Sequence, residues 1–163
     1  ENTIAYLYKR ASTMGGSLKT KENKSPTFLV WAMADAQGTN LQRVQIIKGW
    51  LDNGESKEKV FDATCSDGLE VDKSSHRCPD NGAKVNLNDC SITKNKGSRE
   101  LKTLWKDPEF IEDQEAFYYV RVLENPVCRW STWDAIRSNQ LPRSDIKSTI
   151  QERAWSSPIW ITN

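Results

Sequence analysis

Val44-Gln45-Ile46-Ile47-Lys48-Gly49-Trp50-Leu51-Asp52-Asn53-Gly54-Glu55, followed by Lys59-Val60-Phe61-Asp62-Ala63, decides the fold class. Val44, Ile46 and Trp50 share one parity while Ile47 and Leu51 take the other, the two-residue period of a strand. Asp52-Asn53-Gly54-Glu55 is a hairpin turn, because Asn and Gly accept the left-handed backbone angles that fold a strand back on itself. Lys59–Ala63 is then the returning strand. A lone hairpin is marginal in water, so further strands must cover it.

Those strands flank it in the sequence. Upstream, Thr27-Phe28-Leu29-Val30-Trp31-Ala32-Met33-Ala34 is apolar on both parities and bounded by Pro26 and Gly38. It is too short for a helix and predicts a strand buried on both faces. Downstream, Leu101, Thr103 and Trp105 alternate before the turn Asp107-Pro108-Glu109-Phe110. Ala116-Phe117-Tyr118-Tyr119-Val120-Arg121-Val122-Leu123 has the aromatic and β-branched composition of a central strand. Ser157–Thr162 reads as a last strand, with Pro158 placing it at a sheet edge or a strand start. Ile4–Tyr8 is a further strand candidate, ahead of a tight loop at Met14-Gly15-Gly16, and Ser131 or Thr132 is placed to cap one short helix through Arg137. About seven strands and a minor helix predict an all-β fold: a two-sheet antiparallel β-sandwich, immunoglobulin-like in type.

The 163 residues suit one domain, 1–163, with one core. Within it, 1–26 is a lead-in segment and 64–100 a polar, turn-rich excursion that cannot bury much surface and needs staples. A formal net charge of +1 gives no electrostatic reason to bind nucleic acid or an anionic membrane. No apolar run approaches the ~20 residues that span a bilayer. The sequence opens Glu1-Asn2-Thr3 without an initiator Met, which predicts a fragment cut from a longer polypeptide.

Cys65, Cys78, Cys90 and Cys128 are even in number and widely spaced, which predicts two disulfides and an exported protein, periplasmic or extracellular. Pairing Cys65 with Cys78 closes the excursion, and pairing Cys90 with Cys128 ties its end to the exit of the Phe117–Leu123 strand; the other two connectivities stay open. A Cys₃His zinc site with His76 is the competing reading. Structural zinc sites usually contain a Cys-x₂₋₄-Cys pair, and this chain has none. His76 reads instead as an exposed loop residue. It would also have to be the base of any Cys–His or Ser–His–Asp centre, and no Gly-x-Ser-x-Gly elbow accompanies it. Asp107, Glu109, Glu112, Asp113 and Glu115 read as a solvated turn rather than an acid/base pair. Asp67, Asp72, Asp80 and Asp89 carry oxygens suited to calcium but match no EF-hand spacing. No glycine-rich phosphate loop occurs. The reading therefore assigns no catalytic, cofactor or metal residue.

Of seven Trp, Trp31 and Trp105 lie in strand patterns and are expected in the core. Trp130 and Trp133, in Arg129-Trp130-Ser131-Thr132-Trp133-Asp134, lie outside any long strand. Aromatics beside Arg are what binding surfaces use; covering the open end of a sandwich is the other role they could play. Met14, Arg129, Trp130, Trp133, Arg153 and Trp155 are the candidate interface or ligand contacts.

Several long motifs occur in order: Thr13-Met14-Gly15-Gly16-Ser17-Leu18, Asn40-Leu41-Gln42-Arg43-Val44, Leu104-Trp105-Lys106-Asp107-Pro108-Glu109-Phe110, Arg129-Trp130-Ser131-Thr132-Trp133-Asp134-Ala135 and Gln151-Glu152-Arg153-Ala154-Trp155-Ser156-Ser157-Pro158-Ile159-Trp160. From Tyr8 to Ile161 the chain resembles the C-terminal part of the bacterial domain-of-unknown-function family 3604. The resemblance implies a longer, often exported protein whose N-terminal part resembles metal-dependent hydrolases of the polymerase-and-histidinol-phosphatase type. Those sites use clusters of His and Asp. With one His, this chain carries none of that constellation, so a divalent metal and any hydrolase activity fall to the N-terminal part. The implied role is a non-catalytic accessory domain whose partner is its own hydrolase-like domain. An independent binding module for glycan or peptide, using the Trp and Arg loops, is the alternative.

Overall fold

A computed structural model of the chain describes residues 5, 8, 11–19 and 24–162. The elements are β1 (Ser17–Lys19), β2 (Thr27–Met33), β3 (Leu41–Asp52), β4 (Glu55–Cys65), β5 (Glu100–Lys106), β6 (Ala116–Glu124), β7 (Val127–Cys128), the helix α1 (Trp130–Arg137), β8 (Thr149–Ile150), β9 (Arg153–Trp155) and β10 (Ile159–Thr162). The fold is all-β with minor helix, as the sequence predicts.

The β3–β4 hairpin closes where expected. Asn53 and Gly54 take φ of 51° and 82°, and Asp52 faces Glu55. Strand β3 is central, with β4 on one side and β6 on the other. Ile46 and Ile47, on opposite faces, are both fully buried, which is why both parities of this strand are apolar. The Phe117 ring lies over Gly49, in the space a side chain there would take. The far edge of β6 is shared: β10 pairs with its first residues, Ala116–Tyr118, and β9 with Arg121–Leu123. Strand β1 then adds in parallel to β10, giving a six-stranded sheet. Strands β2 and β5 form a second, two-stranded antiparallel sheet, and β7 pairs with β8 around α1.

The two-stranded sheet lies on one face of the larger one. Phe28, Val30 and Leu101 meet Val44, Ile46, Ala116, Tyr118 and Ile161 in a single core. Ring contacts bridge the layers, Phe28 to Tyr118 at 4.8 Å and Phe61 to Trp105 at 5.4 Å between centroids. In immunoglobulin-like domains strands C, F and G share one sheet, with C′ added in some, and B and E lie in the other. The neighbours β10-β6-β3-β4 and the pair β2-β5 fit that order. The parallel β1–β10 pair departs from a wholly antiparallel sandwich.

Four expectations need correction. Strand β2 is buried on one face: Phe28 and Val30 point inward, while Leu29, Trp31 and Met33 are exposed. Its sheet is only two strands wide and nothing described covers its outer side. Trp31 is therefore 66% exposed and not core, whereas Trp105 is half-buried against the core as expected. Helix α1 begins before Ser131. Arg129 is its N-cap and makes no side-chain cap; the Thr132 hydroxyl donates to the Ser148 carbonyl instead, 2.8 Å away, pinning the helix to the segment before β8. In Ile4–Tyr8, Ala5 and Tyr8 are helical rather than extended, and Ile4, Tyr6 and Leu7 lie outside the described residues.

The excursion between β4 and β5 carries the disulfides Cys65–Cys78 and Cys90–Cys128. It is also held by polar groups. The buried Asn81 amide donates to Asn125 Oδ1 (2.9 Å) and to Asp67 Oδ2 (3.1 Å), and its oxygen accepts from Gln42 Nε2 (3.2 Å). Asp67 in turn accepts the Gly97 N–H. Both ends of the excursion thus meet at β3 and the β6 exit.

Burial pushes the Asp67 carboxyl up, but the Gly97, Ser66 and Asn81 hydrogen bonds and Lys96 outweigh it and hold the group below the usual carboxylate range. A depressed carboxylate contributes stability above its unfolded pKa of ~3.9, and this is lost as pH falls through the lower folded value. The Gly97 amide NMR signal should hold steady down to about pH 4 and shift only below it. In Asp67→Asn that acid transition should vanish. A wild-type midpoint at or above the ordinary Asp value would contradict the assigned bonds.

Candidate functional site: an open flank of the sandwich

The two layers differ in width, and this leaves one flank open. Trp105 of β5 packs at a tilt against Phe61 of β4, and Phe28 of β2 against Tyr118 of β6. Beyond β2 the larger sheet continues into β10, β9 and β1, and no further strand of the smaller sheet lies above it among the described residues. A groove of about 490 Å³ follows, walled by Phe28, Val30 and Trp31 of β2, floored by Val120 and Val122 of β6, and closed by Ala154, Trp155 and Ile159. Tyr8, Ser12, Thr13 and Met14 of the lead-in also line it. A second hollow of about 500 Å³ shares Phe28, Leu29 and Ile159 with the first and adds Leu18, Thr27 and Leu104. A third, of about 370 Å³, shares Ala32, Val122 and Ala154 and adds Met33, Asp35, Glu152 and Arg153. Together they form one trough along the free side of β2.

The trough is apolar along most of its length. Its polar groups include the hydroxyls of Ser12, Thr13, Ser156 and Ser157, the tyrosines Tyr8 and Tyr119, and the charges of Asp35, Glu124, Glu152 and Arg153 at one end. Ser156 Oγ accepts the Val120 N–H at 2.9 Å, which fixes the bend between β9 and β10. Apolar hollows with a few polar groups are a general feature of surfaces that bind apolar groups.

The structure divides the candidate contacts into two groups. Met14 (65% exposed) and Trp155 (58% exposed) line the trough, and Arg153 lines its charged end. Trp130 and Trp133 belong to α1 and Arg129 is its N-cap, and none of the three lines the trough. Trp130 is exposed and Trp133 lies under the Arg137 guanidinium, 5.2 Å from ring centroid to Cζ. Sequence reasoning missed Leu29, Trp31, Met33 and Leu104, all exposed. The signal was there: β2 is apolar on both parities, and an outward apolar face produces that pattern as readily as burial does.

The carboxylates fall into place differently from the solvated turn expected of 107–115. Asp107 is buried. Its Oδ2 binds Lys48 Nζ at 2.7 Å and accepts the Tyr118 hydroxyl at 2.7 Å, and its Oδ1 accepts the Glu109 N–H. Burial, and then Asp107, push the Tyr118 phenol far up. Glu109 stays at the surface with Lys59. His76 is half-buried rather than exposed, edge-on to Phe61 at 5.2 Å with Nε2 3.7 Å from Glu109, on the β4 side of the molecule. Asp72, Asp80 and Asp89 each accept nearby backbone N–H groups. Among the described residues no three His, Cys, Asp or Glu side chains come together as a metal site, and all four Cys are bonded in pairs.

The family described as "Protein of unknown function (DUF3604)" matches residues 1–163, and the chain belongs to that family. No curated protein and no solved structure matches it.

Proposed function

From that membership and the trough, we propose that this chain is a non-catalytic accessory domain of an exported protein, and that it grips a neighbouring domain through the open flank of its sandwich. The partner we infer is the hydrolase-like N-terminal part implied by the resemblance, where any divalent metal would sit. The observation that carries the reading is the ring of exposed apolar side chains around the trough: Met14, Trp31, Met33 and Trp155. Contiguous apolar surface of this kind marks interaction sites, and rigid aromatics dominate their energetics. Export is supported by the two disulfides, which persist in oxidising compartments.

Hydrogen exchange on the domain alone and joined to its N-terminal neighbour tests this. Amides of β2 and β9 should exchange more slowly in the joined protein, and Trp155→Ala should reverse part of that protection. Equal exchange in the two forms would refute the reading. A second reading, a module binding glycan or peptide through α1, rests on exposed Trp130 and the Arg137–Trp133 pair. Saccharide-dependent quenching of Trp fluorescence that Trp130→Ala abolishes would favour it.

A further inference from the structure

The outer face of the larger sheet, turned away from β2 and β5, gathers three arginines. Ile46 belongs to the core, so its neighbour Gln45 points to that outer face. Across the strands Gln45 is level with Asp62 of β4 and with Arg121 of β6. Arg43 follows on the same face of β3, within diagonal reach of Arg121. Arg77 comes from the excursion. The bonds of Asp62 N–H to the His76 carbonyl (2.9 Å) and of Cys78 N–H to Asp62 Oδ2 (2.7 Å), with the Cys65–Cys78 disulfide, hold Arg77 against the sheet.

One polar chain links the three. Arg121 Nε donates to Gln45 Oε1 at 2.8 Å, and Gln45 Nε2 donates to Asp62 Oδ1 at 2.6 Å. Arg43 Nε lies 3.9 Å from Asp62 Oδ2, and Arg77 Nη1 lies 3.6 Å from Oδ1, both beyond hydrogen-bond length. Among the described residues no other carboxylate comes as near to these guanidinium groups. Three positive charges thus surround one negative charge, for a net charge of +2. Like charges packed on one face of a sheet oppose folding. Arg43 Nε is also buried and bonds no described acceptor. A native fold seldom leaves a buried donor unmet, and a bound ion is one of the ways it is met. Arg143, at the surface, shows the satisfied arrangement, with two hydrogen bonds to Asp145.

These groups select their ligand by chemistry. Planar N–H forks bind oxyanions. A net charge of +2 matches a dianion, and forks arriving from β3, β6 and the excursion suit a tetrahedral group better than a flat carboxylate. The Arg43 and Arg77 side chains are 24% and 49% exposed, so the group can enter from solvent. We propose that Arg43, Arg77 and Arg121 form a binding site for a tetrahedral dianion, a sulfate or phosphate group. The site is separate from the trough and does not depend on what the trough docks.

Titration of this chain with sodium sulfate at constant ionic strength, read from the arginine Nε–H signals in NMR spectra, tests the assignment. The Arg43 and Arg121 signals should shift and saturate. Acetate should bind about tenfold more weakly or worse, since one charge and a planar group engage fewer forks. Arg77→Gln removes an exposed guanidinium, so the fold should survive, as an unchanged backbone amide spectrum would verify; sulfate binding should weaken about tenfold or more. Arg143→Gln should leave it unchanged. Methyl phosphate, a dianion at about pH 8, distinguishes the sources: binding equal to that of sulfate assigns the site to a group carried on a larger molecule, and binding of sulfate alone assigns it to the free ion. Shifts that grow without saturating, acetate binding as well as sulfate, or Arg77→Gln without effect would overturn the proposal and leave water as the partner of Arg43 Nε.

Discussion

Replacing Asp107 by Ala should cost about 3–5 kcal/mol of stability, the range found when one partner of a buried ion pair is deleted. The Lys48 and Asp107 side chains are 4% and 0% exposed, and their charges lie 2.7 Å apart. Without the carboxylate, the Lys48 ammonium keeps only the Glu109 carbonyl, 3.0 Å away, and the faces of Trp50 and Tyr118. The Tyr118 hydroxyl and the Glu109 N–H lose their acceptor as well. Domains of this size hold ~5–15 kcal/mol in all, so the single change removes a large share of it or all of it. The double variant Lys48→Met with Asp107→Leu should recover most of the loss, because well-packed apolar groups often replace a buried pair at little cost. Urea melts of the single and double variants decide. A single-variant cost under about 1 kcal/mol, or a double variant no better than the single, would show that the pair is not sealed from water.

Removing the two disulfides should have large but unequal effects. Chain-entropy arguments make the cost grow with the loop that the bond closes. Cys90–Cys128 spans 38 residues and Cys65–Cys78 spans 13. Serine pairs in their place should cost about 4 and about 3 kcal/mol respectively. The first also frees the base of α1 from the excursion, since Cys128 ends β7 two residues before the helix. Thermal melts of the two Ser-pair variants would give the order. A reversal would mean that the polar ties at Asn81 and Asp67, not chain entropy, set the stability of the excursion.

The hairpin, the central strands and both disulfides were legible because each is written locally: Asn53-Gly54 sets the turn, alternation sets the strands, and the Cys positions bracket the excursion. Burial was less legible. An apolar run such as Thr27–Met33 has the same letters whether a second layer or a partner covers its outer face. Asp107 was misread because polar residues in a turn look solvated until Lys48, 59 residues earlier in the chain, is brought against them. The trough was invisible for a related reason. It arises from the unequal widths of two sheets, which no single segment encodes. Of its lining, only Met14, Arg153 and Trp155 stood out by composition.

The parallel pairing of β1 with β10 joins Ser17 to Trp160, about 140 residues apart along the chain. During synthesis β1 emerges early and must wait for nearly all the rest before it has a neighbour. The β3–β4 hairpin, by contrast, can form as soon as it is made. The connectivity predicts an order of events: the local β3–β4 hairpin first, β6 joining it later, and the seam between β1 and β10 last. Closing so long a loop is slow, and domains dominated by distant pairings fold in milliseconds to seconds rather than microseconds. A chain cut short before Ile159 would leave β1 unpaired and the start of β6 without its outer strand, so truncation near residue 158 should damage the beginning of the domain as much as its end.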